Sequence, residues 1–556
     1  MRHLSRAVAA TVTLTVIVTA CSASERSAPD GGSTAAADQG GTFRVLATRQ
    51  EVALDPARSQ SLSTGPIHLV VRALTSWKTS PDRPAELVPD LATDLGRPSD
   101  GGKTWTYNLK PGLTYADGSP VVAADIKYGV ERSFAAELSG GLAYHKSLLA
   151  NAARYGGPYQ GDQLASVEAP DSSTVVFNLN RPFGDWPWIA GMPAFSPVPK
   201  RADANPARYG ERPMATGPYQ VRRYVPGSKL ELERNPSWNR ANDPARTGLP
   251  DSVVFELALQ SDVVTQRLIA DTGDDRAAAS VNASVPAALI PALSANPAVK
   301  ARVVTSLSGA LYALAMNNRR PALSKPEVRK AIQYAVDKQS VQVAKGGPEY
   351  GGEIATTLIP PGVDGYTKYD LYPAPPQGDP EKAKAILAAA GASNLNLVMA
   401  ADNQQLGLAQ AIQQGLERVG ITVTIKPYES SAFYELIGAD EGDYDLATAT
   451  WQPNYPSALA SIQPLFASSE IGKGGFNVIR YSNPAVDTGI AAASAELDRT
   501  KAAGLWAALD RQIMADAPMV PLIYARNTFL HGSKVQNFYL PSYPPAPNLL
   551  TIGLKK

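Results

Sequence analysis

Pro84-Ala-Glu-Leu-Val-Pro-Asp-Leu-Ala-Thr-Asp94, continuing through Trp105-Thr-Tyr-Asn-Leu-Lys110, Tyr115-Ala-Asp-Gly-Ser-Pro120 and Ala124-Asp125 to Glu131-Arg132, is the stretch around which the chain is organised. Trp105, Tyr107 and Leu109 share one face at the two-residue period of a strand. Asp117-Gly118 marks a tight turn, because glycine accepts positive φ. Beyond Pro120, Ile126, Val130 and Phe134 recur every fourth residue and make one stripe of a helix. Taken alone this is a half-buried strand packed on an amphipathic helix, as in most soluble proteins.

The order of the parts is more specific. Leu91-Ala92, Thr106-Tyr-Asn-Leu109, Tyr115-Ala-Asp-Gly118, Ala124-Asp125 and Glu131-Arg132 together resemble the signature block of the family 5 solute-binding proteins, the peptide- and nickel-type receptors of ATP-binding-cassette importers. The resemblance implies an α/β, periplasmic-binding-protein-like, two-lobed fold (type II, cluster C) with an extra inserted domain. It divides the chain into a discontinuous lobe I (41–60, 182–308 and 521–556), an inserted domain (61–181) and lobe II (309–520).

Upstream, Arg2 and Arg6 precede an uncharged run from Ala7 to Ala20, too short for a comfortable membrane span and laid out like a secretory signal. Val18-Thr-Ala-Cys21 sets small residues before the chain's sole cysteine and looks like a lipobox, so residues 1–20 are expected to be cleaved and Cys21 lipidated. Loss of Arg2 and Arg6 turns 52 basic against 51 acidic residues into 50 against 51, leaving the mature chain nearly neutral. Two or more lipid chains would hold it to the cell membrane on the extracytoplasmic side. Residues 21–40 are small and polar and read as a flexible tether.

Composition bounds the rest. A near-neutral chain argues against nucleic acid as partner. A lone cysteine excludes disulfides, and His68, His145 and His531 stand in no metal-ligand spacing. Motifs for a serine nucleophile, a zinc hydrolase or a phosphate loop are missing, so neither catalysis nor a cofactor is expected.

Along the body, Gly41-Thr-Phe-Arg-Val-Leu46 and Thr174-Val-Val-Phe-Asn-Leu179 alternate as strands, and Leu54-Asp-Pro-Ala57 follows the first as a turn. Ala215-Thr-Gly-Pro-Tyr219 with Leu230-Glu-Leu-Glu-Arg-Asn-Pro-Ser-Trp238 reads as a glycine-proline turn into a hairpin that serves as scaffold. Ser324 and Glu327 have the spacing of a capping box for the helix carrying Val328, Ile332 and Val336. Asp379-Pro380 opens a helix ending at Gly391. Asn396–Ala400, the face Leu408, Ile412, Leu416 and Val419, and Ile421–Lys426 make a βαβ unit with parallel strands. A closing strand is expected near Asn548–Ile552.

Thr450-Trp-Gln-Pro-Asn-Tyr-Pro-Ser457 is the candidate cleft loop: Trp451 and Tyr455 offer apolar faces with one polar handle, and prolines keep the segment irregular. In the peptide receptors it resembles, an aspartate three residues after the tryptophan pairs with the ligand's amino terminus. Here that residue is Asn454, which retains an acceptor without the charge. A hydrogen bond to a charged group is worth about 1.5–3 kcal/mol against about 1 for a neutral one. Glu51 or the acids between Asp440 and Asp445 remain to hold an amine. Phe476 and Asn477 are further candidate walls, and Tyr524 corresponds in place to a tyrosine able to reach ligand.

The resemblance thus implies a monomeric, lipid-anchored receptor that binds a peptide or peptide-like solute between its lobes and passes it to permease and ATPase subunits. The alternatives are the same fold holding an oligosaccharide, a metal chelate or an amphiphile, a signalling receptor, and an anchored extracellular hydrolase.

Overall fold

The structure is a computed structural model and describes residues 39–556 except 62–64, 82, 283, 473 and 545. The signal segment, Cys21 and the tether up to residue 38 lie outside the described residues.

Three sheets carry the architecture. The first has strand order 278–280, 42–46, 252–256, 229–234, 219–225, with 42–46 parallel to both neighbours and the rest antiparallel. Alternation explains it: Phe43 and Val45 face one core with Leu230, Leu232, Val253 and Phe255. The 219–225/229–234 hairpin is the one expected from its glycine-proline turn. The turn is tied to the strand end, because Asn235 Nδ2 donates to the Gly217 carbonyl at 2.8 Å.

The second sheet, 97–99, 104–108, 174–178 and 167–168, belongs to the opening stretch. Trp105 and Tyr107 are buried on its inner face, with Phe177 directly opposite Trp105. The helix runs Ala123–Arg132, so Ile126 and Val130 form its buried stripe and Phe134 falls just past its end. This core continues beyond residue 181: the Phe177 ring centroid lies 5.3 Å from that of Trp186 and 5.4 Å from that of Phe195.

The third sheet is mixed, ordered 352–354, 519–530, 303–316, 446–451, 395–402, 421–428. Strands 395–402 and 421–428 are parallel and joined through helix Leu406–Glu417, the βαβ unit read from sequence. Strands 303–316 and 519–530 run through two cores. Leu530 packs with Leu46 and Leu268, whereas Leu314, Met316, Val520 and Leu522 pack with Ile332, Leu397 and Leu446. Their register shifts between Leu307 and Leu311, so a continuous pair of strands links these two cores across an irregularity.

Two local expectations fail. Helix Pro326–Ala335 has no side-chain cap: Pro326 takes its first position and Lys325 its N-cap, while Ser324 Oγ turns back to the Pro321 carbonyl at 3.0 Å. The proline moves the N-cap one residue on, from Ser324 to Lys325. Residues 548–552 are not a strand; the last pairing is Gly553–Leu554 with Val535–Gln536.

Buried ion pairs fasten the opening stretch. Arg132 spans Asp55, at 2.9 and 3.2 Å, and Asp203, at 2.8 and 3.0 Å. Asp90 receives Arg72 at 2.7 Å and Arg246 at 2.9 Å, with Asp243 beside both. Arg132 therefore ties the opening stretch to the Leu54-Asp-Pro turn, and Asp90 ties it separately to Arg72 and to Arg246.

Candidate ligand-binding cleft

Strand Leu446–Trp451 lies beside 303–316, with Leu311 opposite both Trp451 and Tyr524. Beyond Trp451 the prolines stop the ladder, and the chain loops to helix Leu459–Phe466. The Trp451 indole N–H donates to the Ala460 carbonyl at 2.8 Å, which fixes the ring. Its centroid lies 5.1 Å from that of Phe476, tilted 60°. Both rings line a cavity of about 210 Å³ with Leu311, Phe433, Tyr434 and Ile437. Among the described residues no charged one lines it. Phe476 and Tyr434 leave 54% and 55% of their surfaces accessible, so each ring is only half covered by its neighbours.

The loop also meets the inserted segment. Asn454 Nδ2 donates to the Tyr144 hydroxyl at 2.7 Å. Tyr455 is fully buried edge-on to Tyr144, with centroids 5.6 Å apart, and its hydroxyl has no partner among the described residues. Ser457 Oγ donates to Asp185, and Tyr543 donates its hydroxyl to the Pro453 carbonyl. Burial raises the Asp185 carboxyl to about 6, opposed by the Ser457 hydrogen bond and by Arg499.

The other sequence-predicted residues sit differently. Asn477 is buried and occupied in bracing its own loop: Nδ2 donates to Ala467 and Tyr481 carbonyls at 3.0 and 2.8 Å, and Oδ1 accepts from Tyr481 N at 3.1 Å. Tyr524 is buried with its hydroxyl on Thr357 Oγ1 at 2.5 Å and on the Thr357 amide at 3.0 Å. Neither lines the Trp451 cavity. Glu51 is exposed in a separate cavity of about 540 Å³. Trp451 and Phe476 are thus brought together at the cavity, Asn454 and Tyr455 follow on the same loop against Tyr144 without lining it, Asn477 braces the segment 467–481, and Glu51 and Tyr524 stand apart.

Sequence reasoning missed Phe433, Tyr434, Tyr144 and Asp185. Helix Ser430–Gly438 carried a signal, since Phe433 and Ile437 are one turn apart on its buried face. Tyr144 and Asp185 carried none, because they reach the loop from about three hundred residues upstream.

Residues 86–473 match the family model for bacterial extracellular solute-binding proteins, family 5, middle part. A glutathione-binding protein of Pectobacterium atrosepticum is 27% identical over 470 residues, covering 83% of this chain and 84% of that one. A probable D,D-dipeptide-binding periplasmic protein of Escherichia coli is 26% identical, covering 84% of each. Among solved structures, the clavulanic acid biosynthesis oligopeptide binding protein 2 superposes with a TM-score of 0.85 at 33% identity, over 93% of this chain and 96% of that one. The murein tripeptide binding protein in its unliganded open form superposes at 0.74 with 22% identity, over 93% and 98%, a likeness of fold. With the two-lobed α/β architecture and a family match across most of its length, the chain belongs to the bacterial extracellular solute-binding proteins of family 5.

Proposed function

We propose that this protein is an extracytoplasmic receptor that captures a peptide or peptide-like solute beside the Trp451–Ser457 loop and delivers it to an ATP-binding-cassette importer. The observation that carries this reading is the cavity under Trp451 and Phe476, apolar and uncharged among the described residues, next to a loop whose Asn454 and Tyr455 touch Tyr144 of the inserted segment and whose Ser457 touches Asp185. Contacts from both sides of a cleft exist together only when it is closed, so a solute bridging them shifts the population toward closure. The likeness to a glutathione-binding and a probable D,D-dipeptide-binding protein supports short peptidic ligands. Lipidation of Cys21 would keep the receptor at the membrane; among the described residues no helix is long and apolar enough to cross one.

Asn454 sets one limit on recognition. Its amide nitrogen is engaged with Tyr144, and it has no charge to offer an α-amine. Native mass spectrometry of the purified protein with its co-purified solute tests the proposal. A ladder of short-peptide masses is expected; one non-peptide mass shared by all bound molecules would overturn the peptide assignment.

A further inference from the structure

The described fold begins at Gln39, and Gln39 itself lines a cavity of about 590 Å³ with Arg44, Arg276, Lys534, Lys555 and Lys556. Two backbone hydrogen bonds set three of these cations in a row: Lys534 N donates to the Arg276 carbonyl at 2.8 Å, and Lys555 N donates to the Lys534 carbonyl at 2.7 Å. The pairing of Val535–Gln536 with Gly553–Leu554 continues the row. Gly532 lets it close up, since a Cβ there would stand 2.5 Å from the Arg276 carbonyl oxygen. Asp274 is the one acidic side chain on the lining among the described residues, and Arg44 holds it while reaching Glu256 at 3.6 Å. The neighbouring acids are engaged elsewhere: Asp251 with Arg234 at 3.2 Å, Asp271 with Arg302 at 3.8 Å and Asp275 with Arg267 at 2.6 Å. Arg276, whose Nε donates to Ser533 Oγ at 3.4 Å, and Lys534, Lys555 and Lys556 are left without a carboxylate at ion-pair distance among the described residues.

In a chain of 52 basic and 51 acidic residues, such a cluster is not the average surface. Its place matters as much as its charge. Gln39 is eighteen residues from Cys21, and eighteen residues reach at most about 60 Å in any conformation. With Cys21 lipidated, this cavity is where the anchor joins the fold, so its cations are kept at high effective concentration near the headgroups. The attraction of Lys and Arg to an anionic surface acts within a Debye length, about 8–10 Å, so it needs such a tether to be felt.

We infer that the face around Arg276, Lys534 and Lys555 docks on the phosphate headgroups of anionic phospholipids in the membrane that carries the anchor. Ammonium and guanidinium groups make charge-assisted hydrogen bonds to phosphate oxygens. The lipid chains supply residence at the membrane, and the cluster supplies orientation by choosing which face of the receptor meets the bilayer. The inference rests on the proposed function for attachment at Cys21 and takes nothing from the identity of the solute.

Co-sedimentation with vesicles tests it on residues 21–556 made without the signal segment, which carry no lipid and contain all of the described fold. Partition onto phosphatidylcholine vesicles with about 30% phosphatidylglycerol is expected to exceed that onto phosphatidylcholine alone about tenfold or more at about 50 mM salt, and to lose that excess at about 500 mM. R276Q/K534Q/K555Q should lose the preference, whereas R222Q/R223Q, which removes two exposed cations from strand 219–225, should keep it. Equal partition of the wild type onto both vesicles, an unchanged preference in R276Q/K534Q/K555Q, or the same loss in R222Q/R223Q would overturn the surface. Thermal unfolding checks that each variant is folded, and K555Q/K556Q, at two exposed positions past the last strand, replaces the triple variant if that one is not. No solute and no lipid anchor takes part, so a failure here is distinct from a failure of the peptide reading or of Cys21 lipidation.

Discussion

Arg132 shows what the family signature is for. Its side chain is completely buried, and both of its acid partners, Asp55 and Asp203, are nearly so. Removing one member of a buried pair leaves an uncompensated charge and typically costs 3–5 kcal/mol. Arg132→Met is therefore expected to lower unfolding free energy by roughly that amount in urea titrations, without altering the solute's chemical class. Asp510 makes a different prediction. It accepts hydrogen bonds from Tyr369, Leu358 N and Ile359 N at 2.6, 3.1 and 3.2 Å, yet burial outweighs them and raises its carboxyl from 3.8 to about 6. Across that window the native chain binds more protons than the unfolded one, so stability falls as pH rises from about 4 to about 6. Asp510→Asn should flatten this part of the slope in guanidinium unfolding measured between those pH values. At the loop, Asn454→Asp restores a charge beside Tyr144. The expected outcome is a gain in preference for free over N-acetylated peptides, read by calorimetry.

The elements around the cleft respond to packing rather than charge. Phe476 stands half in solvent, so Phe476→Ser should leave the melting temperature nearly unchanged while weakening an apolar solute by about 1–2 kcal/mol, the value of most of one buried aromatic face. Gly309 lies in strand 303–316 against Tyr543, where a Cβ would meet the ring at 2.4 Å. Gly309→Ala must displace Tyr543 and with it the hydrogen bond to Pro453. A destabilisation of about 1–3 kcal/mol is expected, together with weaker solute binding. The elements were legible where period and pattern coincided: strand 104–108 from Trp105 and Tyr107, helix 380–389 from Asp379 and Gly391, the parallel pair from its βαβ spacing. Capping at Ser324 was misread because Pro326 took the first helical position. A strand at 548–552 was misread because apolar residues there, Leu549, Leu550 and Ile552, are buried by the lobe I core without ladder partners.

In the whole molecule, strands 303–316 and 519–530 are the continuous link between two cores, and the inserted segment is locked to the first of them by the Arg132 and Arg246 networks. Tyr144 thereby reaches the loop from a segment anchored at Asp55 and at Arg246. That arrangement was readable only as a family resemblance, since ion pairs such as Asp55–Arg132 leave no local periodicity. The aromatic loop at Trp451 was readable from composition, whereas its partner Tyr144 comes from a distant segment and was not. The account's central claim is that solute is held at the Trp451–Phe476 cavity beside Asn454. Calorimetric titration of the wild type and of Trp451→Ala with a pool of short peptides tests it most directly. Saturable binding by the wild type, weakened at least tenfold in a variant that stays folded, is the predicted result; unchanged affinity in Trp451→Ala would contradict it.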